Sequence, residues 1–286
     1  MQAHRAATAL KVVGAIVVAA IVAGLLMPAV CRVRQAAARS TCSNNLRQLG
    51  MAVHNYADSN LDRLPPGTVT GTLLPVDQRL SFNVLLLPYI ECSNVYSELA
   101  QVEVWDSPRN DAAVANYRTK LFRCPEWVEE SWKPTAPQSE LPWDRHSPTN
   151  YVGVAGVGLD AGSLPLEDSR IGMLGYERQL KIEEVKDGLA NTILLLESGR
   201  DPGPWIRGGA GTLRGIDTGD LPITGENRQF GGMHRSSSFS LLPRRPIGAN
   251  VLLGDVSVRY VKDDIEPRVL AGLATAAGGE AVAADW

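Results

Sequence analysis

No acidic residue occurs before Asp58, and only one of the 18 prolines, Pro28, lies in that stretch. The same stretch carries six bases, Arg5, Lys11, Arg32, Arg34, Arg39 and Arg47, which leaves 22 bases against 31 acids in residues 58–286. The net charge of −3 is therefore an average over a basic piece and an acidic one. The acidic surplus after position 58 argues against a nucleic-acid-binding surface, which needs bases facing phosphates. With 44% hydrophobic and 21% charged residues, neither disorder nor a multi-span membrane protein is indicated. The four cysteines, Cys31, Cys42, Cys92 and Cys124, show no zinc-ligand spacing. A Gly-x-Ser-x-Gly nucleophile elbow is also missing.

What is present begins with an apolar run. Val12 to Val30 is uncharged, and nothing later in the chain approaches its length. As a helix it would be ~28 Å long, close to the ~30 Å hydrocarbon thickness of a bilayer. A transmembrane helix is expected. A cleaved signal peptide shares the basic flank but has a shorter apolar core, and no small-x-small site follows closely here, since Ala36-Ala37-Ala38 lies beyond Arg32 and Arg34. A lipoprotein cut before Cys31 fits poorly with Pro28 and Val30. Bases flank both ends, and their count slightly favours a cytoplasmic C-terminal side.

The helical pattern continues past the run. Leu46, Leu49, Val53 and Tyr56 fall at spacings of three and four and form one stripe. Asp58-Ser59-Asn60 and Pro65-Pro66-Gly67 end the pattern. One helix from Val12 to Ala57, ~70 Å long and kinked at Pro28, is predicted, with its second half laid on a domain.

Residues 61–286 read as short strands between Gly- and Pro-rich connections. Thr192–Glu197 is a strand after an Asp187-Gly188 turn. Asn250–Leu253 and Val256–Val261 form a hairpin about Gly254-Asp255. Phe82–Ile90 and Asn150–Val157 are further strand candidates. Ile265–Ala277 is a short helix with Pro267 near its first turn. Residues 106–148 and 199–227 read as long loops.

Several segments resemble the DUF1559 family of pilin-like bacterial proteins. They include Leu25-Leu26-Met27-Pro28-Ala29-Val30, Cys42-Ser43-Asn44-Asn45-Leu46-Arg47-Gln48-Leu49-Gly50, and His54-Asn55-Tyr56. Leu64-Pro65-Pro66-Gly67, Leu86-Leu87-Pro88-Tyr89-Ile90-Glu91, Phe122-Arg123-Cys124-Pro125 and Thr149-Asn150-Tyr151-Val152-Gly153 come next in order. Further on come Asp187-Gly188-Leu189-Ala190-Asn191-Thr192-Ile193, Phe230-Gly231-Gly232-Met233-His234, Gly248-Ala249-Asn250-Val251 and Leu273-Ala274-Thr275 with Gly278-Gly279-Glu280.

The resemblance implies an α+β fold in which a long N-terminal transmembrane helix packs on a C-terminal antiparallel β-rich domain. It implies a short cytoplasmic N-terminus (1–11), a span (12–30), a helical continuation (31–60) and an extracytoplasmic domain (61–286). It places the protein in a bacterial inner membrane. It implies a structural or assembly role without catalysis or cofactor, and other pilin-like subunits or an assembly machinery as partners besides the lipid around Val12 to Val30. By the same analogy part of 82–100 is helical. The chain departs from the family where Ala6 and Lys11 stand at the places of the Gly and Glu of a prepilin signal. A lysine has the wrong sign for the carboxylate–amine contact implicated in pilin assembly, which favours a tethered binding or sensing domain as the alternative. An insertion also separates His234 from Asp255.

The remaining candidates are weighed against ordinary structural roles. In an oxidising compartment Cys92–Cys124 and Cys42–Cys124 are equivalent pairings, beside simple burial of the thiols. His234 and Asp255 invite a triad-like reading, against which a turn contact and a hairpin closure are the plainer roles. His54 reads as a packing or solvent-facing group rather than a ligand, and His4 and His146 stand alone. Gly153–Gly158 and Gly208–Gly211 lack the context of phosphate loops. Asp217, Asp220 and Glu226 match no Ca²⁺ ligand set. Trp105, Trp127, Trp132, Trp143 and Trp205 are expected to pack under loops rather than form a binding surface. No catalytic, cofactor or metal residue is assigned.

Overall fold

The computed structural model describes residues 2–114, 117, 119–127, 146–219, 229–231, 233–235, 246–262 and 264–280, without the side chains of the first ten residues, eight within 12–30 (Val12, Val13, Ala19, Ala20, Ala23, Leu25, Pro28 and Ala29), Arg235, Pro246 and Ile247. The first element is α1, Gln2–Ser59, 58 residues of uninterrupted helix that continues through Pro28. It extends the sequence-based helix to the N-terminus. Its end is marked by Asn60, whose side chain donates to the Tyr56 carbonyl, and by Leu61 and Asp62 at positive φ.

α1 has two halves. From Cys42 onward its inward positions, Cys42, Leu46, Leu49, Ala52, Val53 and Ala57, are buried. Before Cys42 no described position is buried. Among the described residues no helix is long and apolar enough to cross a membrane.

The rest of the chain builds a six-stranded sheet from β1 (Tyr151–Val157), β2 (Ile193–Glu197), β3 (Leu213–Ile216), β4 (His234–Arg235), β5 (Pro246–Leu253) and β6 (Val258–Lys262). The order is β3-β1-β2-β5-β4, with β6 pairing β5. All pairings are antiparallel except β1 with β3. The parallel β3 lies in the 199–227 stretch expected to be loop. Its short Leu-Arg-Gly-Ile segment carries no clear alternation, so only its place beside β1 makes it a strand.

One consequence of register organises the site. β6 runs along one edge of β5 from Gly248 to Leu252. On the other edge β2 pairs with Val251–Leu253 and β4 pairs with Pro246–Gly248. Thus β2 and β4 share an edge and lie end to end, with the end of β2 (Glu197) and the start of β4 (His234) facing each other beside Asn250.

The sheet has a different helix on each face. Period-two alternation sends Tyr151 and Ala155 of β1 and Leu252 of β5 into the core shared with α1. Val152, Val154, Ala249, Val251 and Leu253 point the other way, onto Leu270, Leu273 and Ala274 of α5 (Pro267–Ala274). A bulge between Ile193 and Leu195 lets the unbroken apolar run of β2 serve both sides.

Phe82–Ile90 is helical rather than extended: α2 (Phe82–Leu86) runs into a 3-10 turn over Leu87–Ile90. Ser81 caps α2 by accepting from the Asn83 N–H, and Pro88 suits the start of the 3-10 turn, where its missing N–H leaves no bond unmade. Next comes α3 (Ser93–Glu98), and α4 (Pro108–Val114) replaces the start of the expected 106–148 loop. Behind them Arg178 is buried and donates to the carbonyls of Ala155, Ala161, Leu164 and Leu174. The bond to Ala155 ties the 158–180 excursion to β1 and the other three hold the excursion together, and burial lowers the guanidinium to about 10.

Candidate functional site

The site lies under α1, where the β2–β4 junction leaves an opening in the sheet edge. Antiparallel register sets Tyr151 opposite Glu197, and β5 brings Asn250 alongside. α1 supplies Cys42 and Asn45 one turn apart, so both look down on the sheet. The loop Leu121–Trp127 supplies Cys124 and Glu126.

That loop is held from three sides. The Asn150 N–H donates to the Phe122 carbonyl at 2.8 Å and its side-chain oxygen accepts from the Cys124 N–H at 2.9 Å. The Asn45 amide donates to the carbonyls of Lys120 and Arg123 and to the Tyr151 hydroxyl. Phe122 stacks on Trp205 with centroids 5.2 Å apart. The asparagines of the Cys-Ser-Asn-Asn and Thr-Asn-Tyr segments thus carry loop backbone that has no ladder of its own.

At the centre is His234. Its Nδ1 is 2.7 Å from a Glu126 oxygen, and its Nε2 is 3.0 Å from Oε2 of Glu197. The Asn250 amide lies 3.1 Å from the same Nε2, and the Asn250 N–H donates to Glu197 at 2.7 Å. Glu197 has no exposed surface, a severe cost for a carboxylate unless it is paired. Burial would pull the His234 imidazole down. Hydrogen bonds with Cys42, Glu126 and Glu197 and the field of Glu197 outweigh it, and the ring is pushed up to about 11. At neutral pH it is an imidazolium, held between Glu126 and Glu197.

The sulfurs of Cys42 and Cys124 are 2.8 Å apart, inside van der Waals contact, and both residues are buried. The hydrogen bond with Cys124 and burial push the Cys42 thiol far above its ordinary range, so a free thiolate nucleophile is not formed here. Burial, and then the neighbouring Cys42 and Glu197, likewise raise Tyr151.

Cys42, Cys124, Glu197 and His234 place one ligand atom each within 4.8 Å of one another. Two sulfurs, an imidazole and a carboxylate have the composition of a zinc set. Two thiolates on one tetrahedral zinc stand about 3.8 Å apart for ~2.3 Å bonds, so the sulfurs would have to separate by about 1 Å. At 2.8 Å the sulfurs stand about 0.75 Å from the length of a disulfide and about 1 Å from the spacing of a zinc-bound pair.

The other sequence candidates are dispersed. Asp255 closes the β5–β6 hairpin, accepting from the N–H and hydroxyl of Ser257. The carboxylates on His234 are instead Glu126 and Glu197, neither of which stands in a recognisable motif. The one sequence signal for Glu197 is a charge ending an otherwise apolar Ile-Leu-Leu-Leu run. His54 Nε2 lies 2.7 Å from the Gly254 carbonyl and packs α1 on the hairpin. His146 is buried against Asp111 at 2.7 Å. Cys92 contacts the Tyr117 hydroxyl at 3.2 Å, away from Cys124, and Cys31 is exposed. Asp217 accepts from the N–H of Gly219, two residues on, and Asp220 and Glu226 lie outside the described residues. Gly153–Val157 is part of β1, while Gly208 packs closely on Val76 and Arg79. Trp127 and Trp205 are buried and Trp105 is half-buried, whereas Trp132 and Trp143 lie outside the described residues.

A family profile described as SBP_bac_10, protein of unknown function (DUF1559), matches residues 32–268. No curated protein and no solved structure matches.

Proposed function

The chain belongs to the DUF1559 family, and from that premise we propose that it is a pilin-like, membrane-anchored envelope protein with a structural or assembly role and no catalysis. The observation that carries this is the division of α1. Ile16, Val17, Val18, Ile21, Val22, Leu26, Met27 and Val30 are all exposed. At about 100° per residue they point in every direction round the axis, whereas a helix that docks on one partner keeps a polar face. Such apolar exposure on every side, at the described positions from Ile16 to Val30, suits lipid. The packed half then carries the sheet domain on the extracytoplasmic side.

The site fits this role better than catalysis. His234, Glu197, Cys42 and Cys124 are buried and satisfy one another, and each holds a different element in place.

The test is membrane fractionation followed by intact mass. Protein retained through an alkaline carbonate wash supports the anchor, and release into the wash would sink it. A chain starting near Ala7 with a methylated amine supports pilin processing. An intact Met1 supports the second reading, a permanently tethered binding or sensing domain, which Lys11 favours by placing a positive charge where assembly would need a carboxylate.

A further inference from the structure

We propose that Cys42 and Cys124 form a disulfide that staples α1 to the domain at the point where the helix leaves it. Cys42 is the first buried position along α1 among the described residues. One turn earlier Arg39 lies over the Tyr260 ring with Cζ 3.9 Å from its centroid, a surface contact on the same sheet face. Beyond that the helix continues back to Gln2, ~55 Å further, with no buried position among those described. A load applied to that lever peels the helix from its first packed residue, so a bond at Cys42 resists peeling where a bond further along would not.

Geometry selects the pair. The sulfurs are 2.8 Å apart, and closing to ~2.05 Å is a side-chain adjustment. Cys92 is engaged with Tyr117 and the Ile90 carbonyl. The neighbours also fit a disulfide. With both sulfurs discharged, a doubly protonated His234 donates from Nδ1 to Glu126 and from Nε2 to Glu197. The Asn250 amide, whose oxygen and nitrogen exchange by a flip, presents its oxygen to the ring.

The step balances through an external disulfide. One cysteine thiolate attacks the disulfide of an oxidised thiol–disulfide oxidoreductase and releases one of its thiols. The second cysteine thiolate attacks the mixed disulfide and releases the other. Two electrons and two protons pass to the oxidoreductase. Both sulfurs are buried once α1 is seated, so the exchange precedes seating.

The inference rests on the extracytoplasmic placement of the domain, and the experiment separates the two. Full-length protein extracted from membranes is alkylated without reductant, digested and mapped. A linked Cys42–Cys124 peptide with Cys31 and Cys92 alkylated is the expected result. Thiols found free in cells are then exposed, in unfolded purified protein, to refolding in oxidised and reduced glutathione. Linkage there, but not in cells, would overturn the compartment and leave the geometry intact. Failure to link in either setting, a Cys92–Cys124 link, or a stoichiometric metal with both thiols free would overturn the staple. The Cys42→Ser/Cys124→Ser variant is expected to raise amide exchange over residues 42–49 about tenfold or more with β1 and β2 amides unchanged. Cys92→Ser leaves that segment protected. If the double variant fails to fold, the peptide map alone decides.

Discussion

The two halves of α1 are one helix by backbone and two materials by surroundings. In the N-terminal half Gly14 and Gly24 have nothing within 4 Å of where a Cβ would sit. In the C-terminal half a Cβ on Gly50 would stand 3.0 Å from Leu252 and 3.2 Å from Val256. Among the described residues the first half buries none of its apolar side chains. The second is apolar on one side and packed there tightly. Secondary structure alone says nothing about which environment a residue meets. The distribution of apolar residues around the axis does.

The comparison is broken most severely by charge. Leu49 is fully buried against the sheet. Leu49→Ala is expected to cost about 3–5 kcal/mol, and Leu49→Asp to leave no folded domain by circular dichroism. Ile21→Asp is expected to leave domain stability within about 0.5 kcal/mol while releasing protein from the membrane fraction. Loss of domain stability in Ile21→Asp would show that the projecting half packs on something in the folded state.

Next in size is Glu197→Leu. It removes one carboxylate from a charged histidine and strands the Asn250 N–H. A loss of about 3–5 kcal/mol is expected in urea unfolding, against a smaller loss for Glu126→Gln, whose side chain reaches solvent.

The histidine also gives the packed half a pH dependence. Glu126, Glu197, Cys42 and Asn250 bond to it, and Cys124 and the Tyr260 ring lie beside it. Because the folded value is raised above the ordinary ~6.5, its stabilisation is complete below about 6.5. It declines as pH rises and is lost above about 11. A disulfide at Cys42 removes one of the hydrogen bonds that raise it and brings the upper end down. The slope is at most ~1.4 kcal/mol per pH unit. The urea midpoint of wild type should fall between pH 7 and 10, and His234→Gln should flatten that fall.

The smallest effects belong to glycine. Gly50→Val should cost about 1–3 kcal/mol through overpacking on Leu252. Gly24→Ala should be neutral or stabilise the helix by up to about 1 kcal/mol. Equal effects at the two positions would erase the distinction between the halves.

Much of the frame was legible in the sequence because it depends on periodicity. The stripe Leu46, Leu49, Val53 and Tyr56 predicted the packed face, and the run Val256–Val261 predicted the second arm of the hairpin, although the strand begins at Val258 and Val256 sits in the turn at positive φ. Segments with mixed signals failed. Phe82–Ile90 is apolar in nearly every position, so a strand and a short buried helix look alike, and only the Ser81 cap and Pro88 separate them. β3 is too short to carry a pattern. The site was hardest to read. Its residues come from positions 42, 124, 126, 197, 234 and 250, and apart from the neighbours 124 and 126 no local spacing connects them. Asp255, the plausible partner of His234 by nearness along the chain, is a turn residue.

What the sequence determined by itself was the composition of surfaces. These are an acid-free apolar run, a stripe on its continuation, and alternation along strands, each a property of neighbours in the chain. Which buried polar groups meet was decided by tertiary structure. β2 and β4 share one edge of β5, and their junction falls beneath the turn of α1 that carries Cys42. Burial there is tolerated only because each charge and each thiol finds its complement across that gap, and such complementarity is a relation between distant segments that no single stretch of sequence contains.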